Sequence, residues 1–176
     1  FGLLGVVFLT IHSCTSSKTQ RAVLNYTDKG LALSEEKNYE KAIQMFDQAI
    51  EIDPTHVESY YNRGNAYLLS GYFTAALNDF NQALELDSSY IEAYLSRAYT
   101  HGKMQNHQDA IHDYSKVLTL NPSSFDAYYS RARMFSTIGE IDQAIADYTK
   151  SIEINPNNPI AYNSRGMLYS HKKQLD

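Results

Sequence analysis

A unit of 34 residues, written end to end from Val23 onward, constrains this chain more than any other feature of it. With Val57 taken as position 1, the copies are residues 23–56, 57–90, 91–124 and 125–158, with a partial fifth over 159–176. They stay in register without an insertion. Position 4 is Tyr in every copy (Tyr26, Tyr60, Tyr94, Tyr128, Tyr162), and position 8 is small (Gly30, Gly64, Ala98, Ala132, Gly166). Each complete copy has Ala at position 20 (Ala42, Ala76, Ala110, Ala144) and an aromatic ring at position 24 (Phe46, Phe80, Tyr114, Tyr148). Position 32 is Pro54, Pro122 and Pro156 in three copies and Ser88 in the other. The apolar residues follow a helical period twice per unit with a break between, so each unit reads as a helix, a turn and a second helix. In the copy from Val57 the first helix runs to about Ser70, Gly71 supplies the turn, and Phe73, Ala76, Phe80 and Ala83 share one face of the second. Small residues at positions 8 and 20 let the two backbones approach, and a Pro at 32 follows the helix end, where no helical N–H is needed.

This spacing of aromatic, small, Ala, aromatic and Pro resembles that of the tetratricopeptide repeat family, and the resemblance runs from Val23 to the end. It implies an all-α fold, a right-handed superhelical solenoid of antiparallel helix pairs. It also implies that a protein or peptide is held in a concave groove lined by the first helix of each pair, mainly at positions 2, 5, 9, 12 and 13. On that footing the candidate groove residues are Tyr61, Asn65 and Leu68, then Tyr99, then Tyr129 and Arg133. Tyr beside Asn and Ser suits a protein surface, because a rigid amphipathic ring gains contact area at little entropic cost. Some family members hold acidic carboxy-terminal tails with a clamp of Lys and Asn, and its places are filled here by Thr27, Leu31, Asn62, Glu92 and Ser96, or one unit on by Tyr61, Asn65, Ser96, Asp126 and Ser130. Each frame keeps one Asn and no cation. Glu92 and Asp126 would repel a terminal carboxylate, so the expected partner is a neutral to basic segment, extended or helical.

A second ladder is basic at position 7 (Lys29, Arg63, Arg97, Arg131, Arg165) and acidic at position 23 in the three middle units (Asp79, Asp113, Asp147), with Met45 in the first. Arg63 with Asp79, Arg97 with Asp113 and Arg131 with Asp147 are expected to form structural ion pairs rather than a basic strip, because the acid would neutralise the strip.

The net charge of −5 leaves no basic face for a phosphate backbone, so nucleic acid is not an expected partner. His101, His107 and His112 lie close in sequence, but their spacing does not put all three on one helical face, and no metal is expected. Neither a Gly-rich phosphate loop nor His-Glu-x-x-His occurs, so the reading is a scaffold without catalytic residues or a cofactor. Two alternatives stand beside it. The repeats are the docking arm of an enzyme or assembly factor whose catalytic part lies beyond Asp176, or a structural solenoid that self-associates through the apolar face of the incomplete last repeat.

The chain opens on Phe1 rather than Met and stops at Asp176, where the second helix of a fifth unit is due, and is read as a fragment of a longer protein. Residues 1–11 are apolar and uncharged, about the length of a signal core and shorter than the ~20 residues of a spanning helix. Ile11-His12-Ser13-Cys14 resembles the lipobox of bacterial lipoproteins, with His12 as the departure from it. Cys14 is the only Cys, so no disulfide forms within the chain, and lipidation would use the thiol. Residues 1–14 are therefore expected to be a signal peptide and lipobox ending at a lipidated Cys14, residues 15–22 a flexible tether, and residues 23–176 the repeats, lipid-anchored in a bacterial cell envelope on the periplasmic or outer-membrane side. The rival is an exported protein, or one held by an uncleaved amino-terminal segment. Cys14→Ala should move the protein from the membrane pellet to the soluble fraction, and undiminished sedimentation with membranes would count against the anchor.

Overall fold

The structure is a computed structural model that describes residues 3–175, with side chains over residues 17–173. Among these residues all regular structure is helical: α1 (Leu3–Glu35), α2 (Tyr39–Ile52), α3 (Val57–Leu69), α4 (Phe73–Leu86), α5 (Ile91–Lys103), α6 (His107–Leu120), α7 (Phe125–Thr137), α8 (Ile141–Ile154) and α9 (Pro159–Leu175). The helices pack as hairpins, first helix against second, and fall into two compact units, residues 1–88 with α1 to α4 and residues 89–176 with α5 to α9.

Every hairpin turns in the same way, at position 15. Lys37, Gly71, Gln105 and Gly139 occupy it with φ of 60°, 82°, 62° and 83°. A left-handed residue just past a helix lets the next N–H reach back five residues and satisfy a terminal carbonyl. Asn38, Tyr72, Asn106 and Glu140 donate in this way to the carbonyls of Leu33, Tyr67, His101 and Phe135, at 2.8 to 2.9 Å. Between repeats the chain turns on Asp53, Asn121 or Asn155, whose side-chain Oδ1 accepts from the backbone N–H two residues on, at 2.9, 3.1 and 3.3 Å. That local bond favours a turn over one more helical residue, and Pro follows it.

The core of the first unit gathers Ala42, Phe46 and Ala66 with Leu33, Tyr39 and Ile43 packed on them. In the second unit, Ala98, Ala110, Tyr114 and Val117 form one cluster and Ala132, Ala144, Tyr148 and Leu168 another. Position 8 meets position 24 in these cores. A Cβ added to Gly30 would lie 2.5 Å from the Phe46 ring, and one on Gly64 2.7 Å from the Phe80 ring. The copies with Ala98 and Ala132 carry Tyr114 and Tyr148 instead, and their rings cannot lie as close. A Cβ added to Gly166 on α9 would meet no neighbouring element within 4 Å, and Ile160, Tyr162, Met167 and Tyr169 of that helix are exposed.

One expectation is corrected. Residues 17–22, read from the sequence as part of a flexible tether, belong to α1 and continue into the first repeat helix without a break. The physical reason is that nothing stops the helix: no Gly or Pro lies between Gly5 and Gly30, and no Asx turn precedes Val23 as one precedes Val57 or Phe125. The side chain of Cys14 lies outside the described residues. No helix among the described residues is long and apolar enough to cross a membrane.

Lys37 and Gln105 carry a Cβ where the left-handed backbone disfavours one by roughly 1–2 kcal/mol, offset in part by the entropy that Gly loses on folding. Lys37→Gly and Gln105→Gly should therefore each raise stability by about 0.5–1 kcal/mol in urea unfolding, while Gly71→Ala lowers it, and a loss of stability in the first two would contradict this account of the turn.

Candidate functional site

The two ladders in the sequence meet on the same side chains. Arg63 donates from Nε and Nη2 to the two carboxylate oxygens of Asp79, at 2.8 and 2.7 Å, and Arg97 does the same to Asp113 at 2.8 and 2.7 Å. Arg131 grips Asp147 at 2.7 and 2.9 Å. The three carboxylates are buried, with Asp113 only 2% exposed, so the two-pronged geometry of guanidinium and carboxylate is what makes their charge tolerable there. The pairing acts on the base as well. Hydrogen bonds with Asp113 hold the Arg97 guanidinium above its ordinary range although burial opposes them.

The remaining prong of the guanidinium reaches back to the preceding repeat. Arg63 Nη1 donates to Asp47 Oδ1 at 2.6 Å, Arg131 Nη1 to Ser115 Oγ at 2.9 Å, and Arg165 Nη1 to Thr149 Oγ1 at 3.1 Å. These acceptors all stand at position 25, which the sequence reading passed over. The signal was present, since position 25 is Asp47, Asn81, Ser115 or Thr149 and always carries an acceptor. The position-4 tyrosine ring lies beside the same cation. Lys29, Arg63, Arg97, Arg131 and Arg165 lie 5.4 to 5.8 Å from the ring centroids of Tyr26, Tyr60, Tyr94, Tyr128 and Tyr162. At that distance the ring quadrupole attracts the cation.

The groove candidates part company. Tyr61 leans on Phe80 with centroids 6.2 Å apart, and Tyr129 is held between Phe125 (5.7 Å, stacked) and Tyr148 (5.5 Å, edge-on), so both are half-buried packing residues. Asn65 and Leu68 are half-buried on α3. Tyr99 is 48% exposed, and with Arg133 it lines a pocket of about 200 Å³ in the second unit. Helix α5 contributes Tyr99, Gly102 and Lys103 to that pocket, α6 contributes Tyr114, and α7 contributes Ser130, Arg133 and Met134. Lys103 Nζ sits 5.2 Å from the centroid of the Tyr99 ring. Burial pushes the Tyr114 hydroxyl above its ordinary range, against a hydrogen bond with Ser130 and the charge of Arg133. Sequence reasoning did not select Tyr114, Ser130 or Met134. A trace of them was legible, since Tyr at position 24 goes with Ser at position 6 of the following repeat for both Tyr114 and Tyr148, the latter bonded to Ser164.

Of the three histidines, His112 is exposed, while His101 and His107 are half-buried. Burial pushes His101 below its ordinary range, towards the neutral ring, and Asp109 lies 3.9 Å from its Nδ1. Among the described residues no group of three or more His, Cys, Asp or Glu could hold a metal ion.

A family profile described as TPR repeat matches residues 30–71, 64–105 and 132–172, more than half of the chain, and a second, described as tetratricopeptide repeat, matches residues 91–124. The chain belongs to the tetratricopeptide repeat (TPR) family. Among solved structures it is similar to MamA, at 28% identity and a TM-score of 0.82 over 88% of this chain and 84% of that one. A second likeness is to the first TPR of Spaghetti (RPAP3) bound to the HSP90 peptide SRMEEVD, at 28% identity and a TM-score of 0.65 over 67% and 94%. YrrB, a TPR protein with an unusual peptide-binding site, shares the fold at 20% identity and a TM-score of 0.76 over 92% and 83%. No curated protein sequence matches the chain. TPR repeats of this kind make a protein–protein interaction module, and the ion-pair ladder belongs to its framework.

Removing Arg131 leaves Asp147 buried without its mate. Arg131→Met should therefore cost about 2–4 kcal/mol, and the double variant Arg131→Met/Asp147→Leu should recover most of it. Urea unfolding of the four proteins in the cycle measures the coupling, and additive effects would show that the pair contributes nothing to the fold.

Proposed function

We propose that this TPR module binds a segment of another protein along the faces of its first helices, through the position-9 and position-13 side chains of α5 and α7, and that lipidation of Cys14 holds it at a bacterial envelope membrane. One observation carries the binding reading. The framework consumes the position-7 bases and most of the tyrosines, whereas Tyr99, Lys103 and Arg133 are exposed around a pocket that the fold does not fill. The RPAP3 relative, which holds a short peptide, supports the same use of the fold. The pocket is smaller than the ~300–1,000 Å³ of small-molecule sites, which suits one side chain of a longer ligand rather than a free metabolite or cofactor. The anchor rests on the apolar run, the lipobox and the lone Cys14.

An exposed aromatic beside a pocket is the kind of residue that dominates interface energetics. Selection of a phage-displayed dodecapeptide library on the full chain should enrich binders, and Tyr99→Ala should weaken them by about tenfold or more. Failure of any sequence to enrich above background, or binding indifferent to both Tyr99→Ala and Arg133→Ala, would remove this face as the site.

A further inference from the structure

Two groups of cations on α5, α7 and α9 differ in what holds them. Arg97, Arg131 and Arg165 are taken up by hydrogen bonds and rings within the framework. Lys103 and Arg133 stand apart from that ladder, and among the described residues neither has a carboxylate within 4 Å. Lys103, in the last turn of α5, also complements the negative end of that helix and lies by the Tyr99 ring. Arg133 has no such use, standing a full turn before the end of α7. Both line the same pocket, with the Tyr99 ring beside them and the Tyr114 and Ser130 hydroxyls, already bonded to one another, below.

The acids that argue against an anionic partner lie elsewhere on these helices. Glu92 and Asp126 are in the first turns of α5 and α7. At a rise of 1.5 Å per residue, Glu92 is roughly 16 Å from Lys103 along α5, and Asp126 roughly 10 Å from Arg133 along α7, about a Debye length or more at physiological salt. The face is therefore polarised, with its acidic end at the helix starts and its basic end at the pocket.

We infer that the pocket receives the carboxylate of an aspartate or glutamate side chain on the bound segment, held between Lys103 and Arg133 with its methylene stem against the Tyr99 ring. The inference rests on the reading of this face as the binding site and adds the chemistry of one ligand residue. It makes this corner of the module a reader of internal acidic residues, formed at other positions than those of a clamp for a chain terminus. A partner matching the whole face carries a basic residue roughly 10–16 Å from that acid, opposite Asp126 or Glu92, by the same helical rise.

The test is an NMR titration of the full chain with three probes: N-acetyl-glutamate methylamide, its glutamine isostere, and N-acetylglycine as a mimic of a chain terminus. The glutamate derivative should shift the Arg133 Nε–H and Gly102 N–H signals saturably, bind about threefold more tightly than the glutamine derivative, and lose that advantage at high salt. The double variant Lys103→Gln/Arg133→Gln changes exposed side chains, so its remaining amide spectrum should be unaltered while the preference for glutamate disappears. Equal binding of the first two probes, absence of shifts with any probe, or an undiminished preference in the double variant would overturn the assignment. Tighter binding of N-acetylglycine would hand the pocket to a chain terminus and overturn it as well. Display-selected peptides that still bind when the probes fail would leave the interaction module standing and remove only the pocket.

Discussion

A guanidinium beneath a helical hairpin is tolerable only when each of its surfaces is answered, and the repeat is built to answer them. In the repeat from Val57, Asp79 takes the two-pronged edge of Arg63, Asp47 of the preceding repeat takes Nη1, and the Tyr60 ring centroid lies 5.6 Å from the guanidinium carbon. Positions 4, 7, 23 and 25 of the sequence are thus one ladder of contacts. Because the acceptor at position 25 comes from the neighbour, the same residue that closes a hairpin also fastens it to the one before. An electrostatic contact thus stands beside the apolar packing that joins neighbouring repeats, as in the cluster of Ala42, Phe46 and Ala66.

That arrangement explains which features could be read in advance. The helix pairs, their boundaries and the aromatic and small core positions follow from periodicity and recur four times, so noise in one copy is corrected by the others. Position 25 was invisible for a physical reason: Asp, Asn, Ser and Thr look like an ordinary solvated face until the geometry shows that they share the role of acceptor. Residues 17–22 lack an apolar stripe because they have little to pack against, and their helicity comes from continuity with α1 rather than from pattern. The groove was the hardest to read. Tyr61 and Tyr129 stand at position 5 and pack against Phe80 and Tyr148, whereas Tyr99 stands at position 9 and faces solvent, a split that residue type alone does not show.

The division of labour among tyrosines and arginines bears on function. Fifteen Tyr and no Trp give a surface dense in aromatic edges, yet many of those rings are engaged in the framework. On the proposed reading, binding falls to side chains that the framework leaves over, on α5 and α7. A module of this design can change its ligand by substitutions at a few exposed positions without touching the ladder that holds it together.

The pairing of positions 8 and 24 has a further consequence, for how such an array can grow. Gly goes with Phe in the first two repeats and Ala with Tyr in the next two, and the close approach of the Phe rings to Gly30 and Gly64 shows why the halves cannot be mixed. A recombination joint falling in the hairpin turn would set Ala against Phe, which collides, or Gly against Tyr, which leaves a void. Joints between one second helix and the next first helix keep each match intact. The segment that can be duplicated, deleted or grafted in a single step is then the whole hairpin, so the genetic unit and the packing unit of this protein coincide.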